Sequence, residues 1–194
     1  MPSYTVDANG QLISSEEVTN VSPAPAPDND TSVVVVRGFL DEDEIQAIFK
    51  DITGLKFNPA KLSTPEGGGQ VRDDFRKSMV AFLPPTSMPG LQLAGAVKAI
   101  SGGAVHQWDK VQVALYEPGM FFERHKDAGT NHGYRLWTSV VELQSAPGGG
   151  LEVDGCGPLD MEPGDLVVFP ASTYHRATAP TEGARFSLTN WFWT

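Results

Sequence analysis

Three side chains in the C-terminal half of the chain have the types and spacing of a metal site. His125 and Asp127 are two residues apart, and in an extended strand positions i and i+2 point to the same face. His175 follows later, after the apolar run at 166–169. Two histidines and one carboxylate form the facial triad that holds iron(II) and leaves other coordination positions open. Zinc and manganese accept the same ligands, so the residues alone do not identify the metal.

A cation lies on the last predicted strand, among hydroxyl and aromatic side chains. Residues 184–193 alternate in character, which places Arg185, Ser187, Thr189 and Trp191 on one face. A buried guanidinium requires an anionic partner, because an unpaired buried charge is unfavourable. It binds a carboxylate through two parallel hydrogen bonds. The pattern favours a carboxylate-binding site, and a surface arginine at a sheet edge is the alternative.

Each of these residues also has an interpretation without chemistry. A His-X-Asp sequence occurs by chance in many proteins, and a histidine after a strand is commonly a surface residue. His132 lies in a polar loop after the motif and is a candidate to contact a substrate as part of a lid. Cys156 is the single cysteine, which excludes an intramolecular disulfide and a cysteine-rich zinc site.

The elements that must position these side chains are short strands in the second half of the chain. Apolar or alternating runs separated by glycine-, proline- and aspartate-rich turns occur at 111–116, 137–143, 166–169 and 184–193. Helical patterns precede them, at 42–49 after a capping Asp41 and at 91–100. We therefore predict an α+β, mainly β fold, with N-terminal supporting helices and a β-sandwich or jelly-roll core.

Charge is unevenly distributed along the chain. Residues 1–32 contain five acidic side chains, no lysine or arginine, and a Pro-Ala-Pro-Ala-Pro run at 23–27. Alternating prolines favour extended backbone without ladder hydrogen bonds. We predict a disordered or loosely packed acidic tail there, and one domain over 33–194. Within it, 33–107 would supply supporting helices and strands and 108–194 the jelly-roll core.

Composition excludes several classes of partner. The 14 basic and 24 acidic side chains give a formal net charge of −10, which disfavours a nucleic acid or an anionic membrane surface. No apolar run reaches the roughly 20 residues of a membrane span. The N-terminus lacks the basic-then-apolar pattern of a signal peptide. These features predict a cytoplasmic protein without a membrane partner.

The second half of the chain carries a series of motifs whose order, spacing and turn residues agree with one another. They are Tyr-Glu-Pro-Gly at 116–119 followed by His-Lys-Asp at 125–127, Gly-Gly-Leu-Glu at 149–152, Pro-Gly-Asp-Leu-Val-Val-Phe-Pro at 163–170, His-Arg at 175–176, and Gly-Ala-Arg-Phe-Ser-Leu-Thr-Asn-Trp-Phe at 183–192. From about Val111 onward the sequence resembles the iron(II)- and 2-oxoglutarate-dependent dioxygenases, specifically the prolyl 4-hydroxylase-like branch. Residues 33–40 are similar to the first strand of that branch.

The resemblance implies a double-stranded β-helix with iron(II) held by His125, Asp127 and His175. It implies that 2-oxoglutarate chelates the iron and pairs its far carboxylate with Arg185. The implied reaction uses O2, hydroxylates a C–H bond, and releases succinate and carbon dioxide, with ascorbate as a candidate reductant. Related halogenases lack the metal-binding carboxylate, so the presence of Asp127 favours hydroxylation.

Further pocket residues follow from the same resemblance. Tyr116 matches a tyrosine that lines the 2-oxoglutarate pocket of the family. Thr138 and Ser187, on neighbouring predicted strands, are the other candidates on the co-substrate side. Trp191 matches an aromatic residue near the substrate side of the pocket.

Three charged residues are additional substrate-side candidates. Glu142 stands where the branch usually has an apolar or tyrosyl residue. If it faces the pocket it would bind a cationic substrate group, and if it faces outward it is a solvated charge. Residues 58–74 are predicted to be a mobile loop, and Arg72 and Arg76 follow its glycines at 67–69. They belong either to a solvated surface or to a region that folds over the active site.

The substrate class remains open at this level. The resemblance implies a prolyl, peptidyl or amino-acid-like substrate, with other small molecules as alternatives, and the oligomeric state is not determined. The nucleic-acid-dealkylating branch usually has a second arginine where this chain has Trp191, which argues against DNA or RNA. A non-enzymatic metal-binding jelly-roll sensor and a zinc- or manganese-dependent cupin-like enzyme are the competing hypotheses, and neither requires Arg185.

Overall fold

Two facing β-sheets form the architecture, with two helices on the outer side of the larger sheet. The computed structural model describes residues 3–6, 12–14, 33–64, 68–129 and 131–194. The helices are α1 (Glu42–Ile52) and α2 (Met88–Ile100). The strands are, in chain order, β1 (Ser3–Val6), β2 (Leu12–Ser14), β3 (Val34–Val36), β4 (Asn58–Pro59), β5 (Leu62–Ser63), β6 (Gly69–Gln70), β7 (Arg76–Lys77), β8 (Met79–Leu83), β9 (Gln107–Trp108), β10 (Val111–Tyr116), β11 (Phe121–His125), β12 (Trp137–Gln144), β13 (Gly150–Val153), β14 (Gly157–Leu159), β15 (Leu166–Pro170), β16 (His175–Thr178) and β17 (Arg185–Trp193).

Strand order crosses repeatedly between the two sheets. The larger sheet runs β2-β1-β3-β15-β12-β17-β10-β8-β4, with β9 beside β17, and the smaller sheet runs β14-β13-β16-β11-β7. A small hairpin, β5-β6, lies outside both. From β10 to β17 the chain passes back and forth between the sheets, with the hairpin β13-β14 in the smaller one, which is the jelly-roll arrangement. The predicted mainly β fold with N-terminal supporting helices is confirmed.

The two faces of the larger sheet have different neighbours. Val111 and Val113 of β10 join the core that packs under α1 and α2. Ala114 and Tyr116, which point the other way, contact residues of the smaller sheet. Alternation along each strand thus separates a helix-facing core from side chains that face the space between the sheets.

Helix α1 is fixed at its start by the capping predicted from the sequence. The Asp41 side chain accepts a hydrogen bond from the Glu44 backbone N–H (2.8 Å), and Glu44 accepts one from the Asp41 N–H (3.0 Å). The Leu40 N–H donates to the carbonyl of Gly164 (3.0 Å), which ties this helix to the turn before β15. Gly164 has φ +93°, and a Cβ placed there would lie 2.2 Å from the Leu40 oxygen, so only glycine fits.

Part of the N-terminal region is ordered into strands. β1 pairs antiparallel with β2 and parallel with β3, so residues 3–6 and 12–14 extend the larger sheet. These strands lie in the segment 1–32, for which the sequence predicts a disordered or loosely packed tail, and that stays a prediction. The Pro-Ala run at 23–27 lies outside the described residues, and the domain limits stay predictions.

The segment at 58–74 is more regular than a loop. It contains β4, which pairs with β8, and the β5-β6 hairpin, while residues 65–67 lie outside the described part. Among the residues that the structure describes, neither helix is long and apolar enough to cross a membrane.

Candidate metal and co-substrate site

The three predicted metal ligands come together at the ends of two strands of the smaller sheet. His125 is the last residue of β11 and His175 the first of β16, and the two are directly opposite in the antiparallel pair. Asp127 lies just beyond β11. Its backbone N–H and that of Ala128 donate to the Ala171 carbonyl (2.9 and 2.8 Å), which fixes the turn that presents the carboxylate.

The donor atoms of these residues are close enough to share one ion. One ligand atom from each lies within 4.8 Å of the others. His125 Nε2 is 3.7 Å from Asp127 Oδ1, and His175 Nε2 is 3.5 Å from Asp127 Oδ2. A divalent cation between them would be bound by two nitrogens and one oxygen from a single side.

Both imidazoles are oriented for metal binding by their second ring nitrogen. His125 Nδ1 lies 2.7 Å from the Glu123 carbonyl, and His175 Nδ1 lies 3.0 Å from the Thr173 carbonyl. A carbonyl oxygen only accepts, so each Nδ1 carries a proton, and in the neutral imidazole the lone pair is on Nε2. Burial, together with His175, lowers the pKa of His125 to about 3, so this imidazole is neutral at physiological pH. The site therefore presents the ligand form that a metal requires.

The carboxylate of Asp127 is held by residues of the larger sheet. Thr138 Oγ1 donates to its Oδ2 at 2.7 Å. Burial alone would raise the pKa of Asp127, but the two histidines, Thr138 and Trp191 together lower it. The buried indole N–H of Trp191 is directed toward this carboxylate, so both Thr138 and Trp191 of the larger sheet favour its charged form.

A pocket of about 640 Å³ surrounds the ligands. It lies between the sheets and reaches from the ligand cluster down to Arg185. Predicted residues that line it are Arg76, Tyr116, His125, Asp127, His132, His175, Arg185, Ser187 and Trp191. The structure therefore brings most of the sequence-predicted residues to one cavity.

Arg185 reaches this pocket but already has a carboxylate partner. Its Nε lies 3.0 and 3.1 Å from the two Glu142 carboxylate oxygens, and its Nη2 donates to Oε2 at 2.6 Å. Arg185 is 1% exposed and Glu142 3% exposed. The guanidinium also lies over the Tyr116 ring, 5.6 Å from its centroid. The sequence analysis expects a ligand to supply the carboxylate that pairs with Arg185. In the structure, Glu142 supplies it.

Glu142 consequently fits neither role considered from the sequence. It points inward, as its parity with Thr138 indicates, but it lies behind Arg185 and does not line the pocket. It is neither a solvated charge nor a contact for a cationic substrate group. Burial raises its pKa, because the loss of water outweighs the attraction of Arg185.

The co-substrate candidates surround Arg185. Tyr116 is directly opposite Arg185 in the β10-β17 pair, and Ser187 is directly opposite Glu142 in the β12-β17 pair. Thr138 is opposite Trp191, at the metal end of the same strands. Hydroxyl groups therefore occur at both ends of the cavity, one near the ligands and two near the cation.

Arg72 and Arg76 differ in their exposure, their partners and their position relative to the pocket. Arg72 is exposed and binds Asp74 through Nε and Nη2 (2.9 and 2.7 Å), away from the pocket. Arg76 is buried and lines the pocket, where it donates to Ser78 Oγ (3.1 Å) and Gln112 Oε1 (3.2 Å). Of these two candidates, the structure places only Arg76 in the cavity.

His132 lies at the edge of the cavity. Its Nε2 is 2.8 Å from Ser63 Oγ of the β5-β6 hairpin, and its Nδ1 is 3.3 Å from the Tyr134 hydroxyl. These contacts join the loop after the ligands to the 58–74 segment. This position is compatible with the predicted lid role.

Among the lining residues that were not predicted, three contact predicted site residues directly. Gln112 shares the inward face of β10 with Tyr116, so the alternation of side chains along this strand could have predicted that Gln112 faces the pocket. Phe122 stacks on His125 with ring centroids 3.4 Å apart, and Arg135 lies over Trp191, 4.0 Å from the ring. No pattern in the sequence distinguishes these last two from ordinary core or surface residues.

Comparison with known proteins gives a family match for the part of the chain that carries the site. Residues 111–193 match the family model described as the 2OG-Fe(II) oxygenase superfamily. A PKHD-type hydroxylase of Rippkaea orientalis is 31% identical over 86 residues, which cover 39% of this chain and 39% of that protein. The match thus spans about two fifths of this relative's length.

Solved structures share the fold over most of the chain. A Pseudomonas putida prolyl-4-hydroxylase has a TM-score of 0.64 at 23% identity and covers 84% of this chain and 92% of its own. A Trichoplax adhaerens prolyl hydroxylase, solved with a peptide fragment of the hypoxia inducible factor oxygen degradation domain, has a TM-score of 0.65 at 17% identity. It covers 85% of this chain and 84% of its own. At these identities the likeness shows a common jelly-roll fold.

Proposed function

Residues 111–193 belong to the 2OG-Fe(II) oxygenase superfamily, and on this premise we propose that the protein is an iron(II)- and 2-oxoglutarate-dependent hydroxylase. The predicted family resemblance is confirmed, and with it the family's cofactor, iron(II), and co-substrate, 2-oxoglutarate. The activity of this chain and its substrate are proposals. The substrate proposed is a prolyl, peptidyl or amino-acid-like molecule hydroxylated at a C–H bond.

The observation that supports this proposal most directly is the convergence and orientation of the three metal-binding side chains. His125, Asp127 and His175 present three donor atoms from one side of a pocket, with both Nδ1 atoms committed to carbonyls. These residues would hold iron(II), and the open side would face the cavity. Thr138 fixes the carboxylate, so the ligand geometry does not depend on the metal alone.

The other end of the pocket would receive the co-substrate. Arg185, Tyr116 and Ser187 would contact its far carboxylate, although Arg185 already pairs with Glu142. The Nη1 group of Arg185 has no hydrogen-bond partner among the residues that the structure describes, and it is the group available to a ligand. Binding there would place two carboxylates around one guanidinium.

Iron(II) together with 2-oxoglutarate and O2 supplies the oxidising power that converts C–H to C–OH, releasing succinate and carbon dioxide. The chain's own residues provide orientation and shielding. Phe122 covers the His125 ring, and Trp191 borders the ligands, so apolar surface limits water around the reacting groups. A substrate would enter from the side lined by Arg76 and His132.

The direct test is succinate formation. Protein loaded with iron(II) should convert 2-oxoglutarate to succinate slowly without added substrate and faster when a substrate from a proline-containing peptide and amino-acid panel is present. Asp127→Ala should abolish the conversion, whereas Asp154→Ala, which removes a surface carboxylate paired with Arg124, should leave it unchanged. No succinate above background from folded, iron-loaded protein would contradict the proposal.

A metal-binding jelly-roll protein without turnover is the second candidate, and one observation favours it. Because Glu142 satisfies Arg185 internally, the cation does not require a carboxylate from outside. Such a protein would bind zinc or iron equally well with and without 2-oxoglutarate. Cooperative binding of iron(II) and 2-oxoglutarate would exclude this candidate.

A further inference from the structure

Arg76 differs from every other arginine in the chain. Within the described residues, the remaining six each pair with a carboxylate, in the pairs Arg37–Asp165, Arg72–Asp74, Arg124–Asp154, Arg135–Asp109, Arg176–Glu152 and Arg185–Glu142. Arg76 has no such partner in that part of the chain, although it is only 8% exposed. Its hydrogen bonds go to the neutral side chains of Ser78 and Gln112. A buried cation without a counter-ion is costly unless a ligand supplies the anion.

The guanidinium of Arg76 lies close to the metal-ligand cluster. Its guanidinium lies over the Phe122 ring, 4.4 Å from the centroid. One face of that ring is already covered by the His125 imidazole, so the guanidinium occupies the other face. Burial lowers the pKa of Arg76, an effect that Tyr116 and Asp127 partly offset, yet an arginine remains charged at neutral pH. The Phe122 ring therefore lies between the Arg76 guanidinium and the imidazole of the proposed metal ligand His125.

Arg76 is hydrogen-bonded at a different position along β10 from the one opposite Arg185, although Tyr116 acts on both guanidiniums. Arg76 is bonded to Gln112, which precedes Tyr116 by four positions on β10, about 13 Å along the strand. Tyr116 is the residue opposite Arg185. Five lysine and arginine side chains line the pocket, and Lys61 and Lys126 are exposed to solvent. Arg135 and Arg185 pair with Asp109 and Glu142, whereas Arg76 is buried and has no carboxylate partner within the described residues.

We infer that Arg76 is an anion subsite for the substrate, and that the substrate carries a carboxylate group. The inference rests on the proposed hydroxylase function for the identity of the ligand as a substrate. A single guanidinium balances one negative charge, which suits a carboxylate better than a phosphate ester with its charge of about −2. A carboxylate bound at Arg76 would place the adjoining carbon atoms near the ligand cluster, next to Phe122.

The test uses matched acids and amides. Protein with zinc(II) in place of iron and with saturating 2-oxoglutarate is titrated with propionate and propionamide, and with N-acetyl-L-proline and N-acetyl-L-prolinamide. The Nε–H resonance of Arg76, assigned through Arg76→Lys, reports binding by NMR. The acids should shift it saturably and bind at least about tenfold more tightly than the amides, as expected for one charge-assisted hydrogen-bonded contact.

Three variants identify the side chain responsible. Arg76→Gln should remove the preference for acids. Gln112→Glu should remove it as well while keeping the arginine, because it gives Arg76 a carboxylate partner, so the test does not depend on Arg76→Gln folding. Arg72→Gln, which removes a surface cation of the same segment, should retain the preference.

The outcomes separate this inference from the proposed function. Equal binding of acids and amides, unchanged acid binding in Arg76→Gln, or no acid binding would overturn the subsite. So would a loss in Arg76→Gln that affects 2-oxoglutarate rather than the added acid. Succinate formation by the iron-loaded protein is measured in parallel. If it is present while acids and amides do not differ, the subsite fails alone, and if it is absent while acids bind at Arg76, the subsite stands without the hydroxylase.

Discussion

Glu142 and Arg185 form a buried bidentate ion pair at the inner end of the pocket, with contacts of 2.6 to 3.1 Å. The cation that would hold the far carboxylate of 2-oxoglutarate is therefore neutralised before any ligand binds. A second carboxylate at Arg185 would leave a net negative charge in a site with little water, which is unfavourable. Protonation of Glu142 would relieve this, and burial already raises its pKa.

Replacing Glu142 with glutamine should tighten 2-oxoglutarate binding. Glutamine keeps the size and one acceptor but removes the negative charge, so Arg185 gains a full interaction with the co-substrate. We expect an affinity increase of about tenfold or more, measured by calorimetry with iron(II) under anaerobic conditions. Glu152→Gln, which breaks the exposed pair with Arg176, is the matched control and should change nothing. Unchanged or weaker binding in Glu142→Gln would show that Glu142 does not oppose the co-substrate.

The same substitution should lower the stability of the ligand-free protein. It leaves the Arg185 charge buried without an anion, at a cost on the order of 3–5 kcal/mol in the free energy of unfolding. Saturating 2-oxoglutarate should restore much of this loss, so its stabilising effect on urea unfolding should be larger in the variant than in the unsubstituted protein. Equal stabilisation of the two proteins would contradict the assignment of Arg185 as the anchor.

Co-substrate affinity should depend on pH through Glu142. If binding makes Glu142 take up a proton, then affinity is highest where protons are abundant and falls as pH rises through the raised pKa of this group. Arg185 and Asp165 are the charged groups that act on it. Calorimetry in buffers of different ionisation enthalpy measures the uptake directly. The slope should vanish in Glu142→Gln, and a slope of the same size in both proteins would assign the proton elsewhere.

Thr138 should act as a positioning residue for the metal. Thr138→Val removes the hydrogen bond to Asp127 and keeps the shape, so iron(II) or zinc(II) affinity should fall by about 10- to 100-fold. The neighbouring Ser139 is also buried, and its hydroxyl has no partner in the described part of the chain, so Ser139→Ala is the control and should leave affinity unchanged. Equal metal affinity in both variants would mean that Asp127 does not need Thr138.

The contact between α1 and the β15 turn should be sensitive to a single methyl group. Gly164→Ala should destabilise the fold by on the order of 2–3 kcal/mol, since it combines φ +93° with a clash against the Leu40 carbonyl. Gly157 has φ +74° but open space around it, so Gly157→Ala isolates the backbone strain alone and should cost about 1 kcal/mol. Similar unfolding energies for the two variants would remove the steric explanation.

The features of the site and fold that the sequence predicts correctly are those that depend on residues close together in the chain. The i, i+2 spacing of His125 and Asp127, the inward parity of Glu142, and the cap at Asp41 all depend on neighbours in the chain. The partner of Glu142 depends instead on the β12-β17 register, which shifts just after Glu142 and could not be derived from one strand. The burial of Arg76 depends on a two-residue strand, β7, pairing with β11, and its mixed-charge sequence resembles an exposed segment.

The central claim is that the ligand cluster and Arg185 together bind iron(II) and 2-oxoglutarate. Anaerobic titration of the protein with both should produce the weak visible charge-transfer band of an iron(II)-chelated 2-oxo acid. The band should be lost in Asp127→Ala and should appear at lower 2-oxoglutarate concentration in Glu142→Gln. Folded, iron-loaded protein that shows no band at saturating 2-oxoglutarate would contradict the assignment.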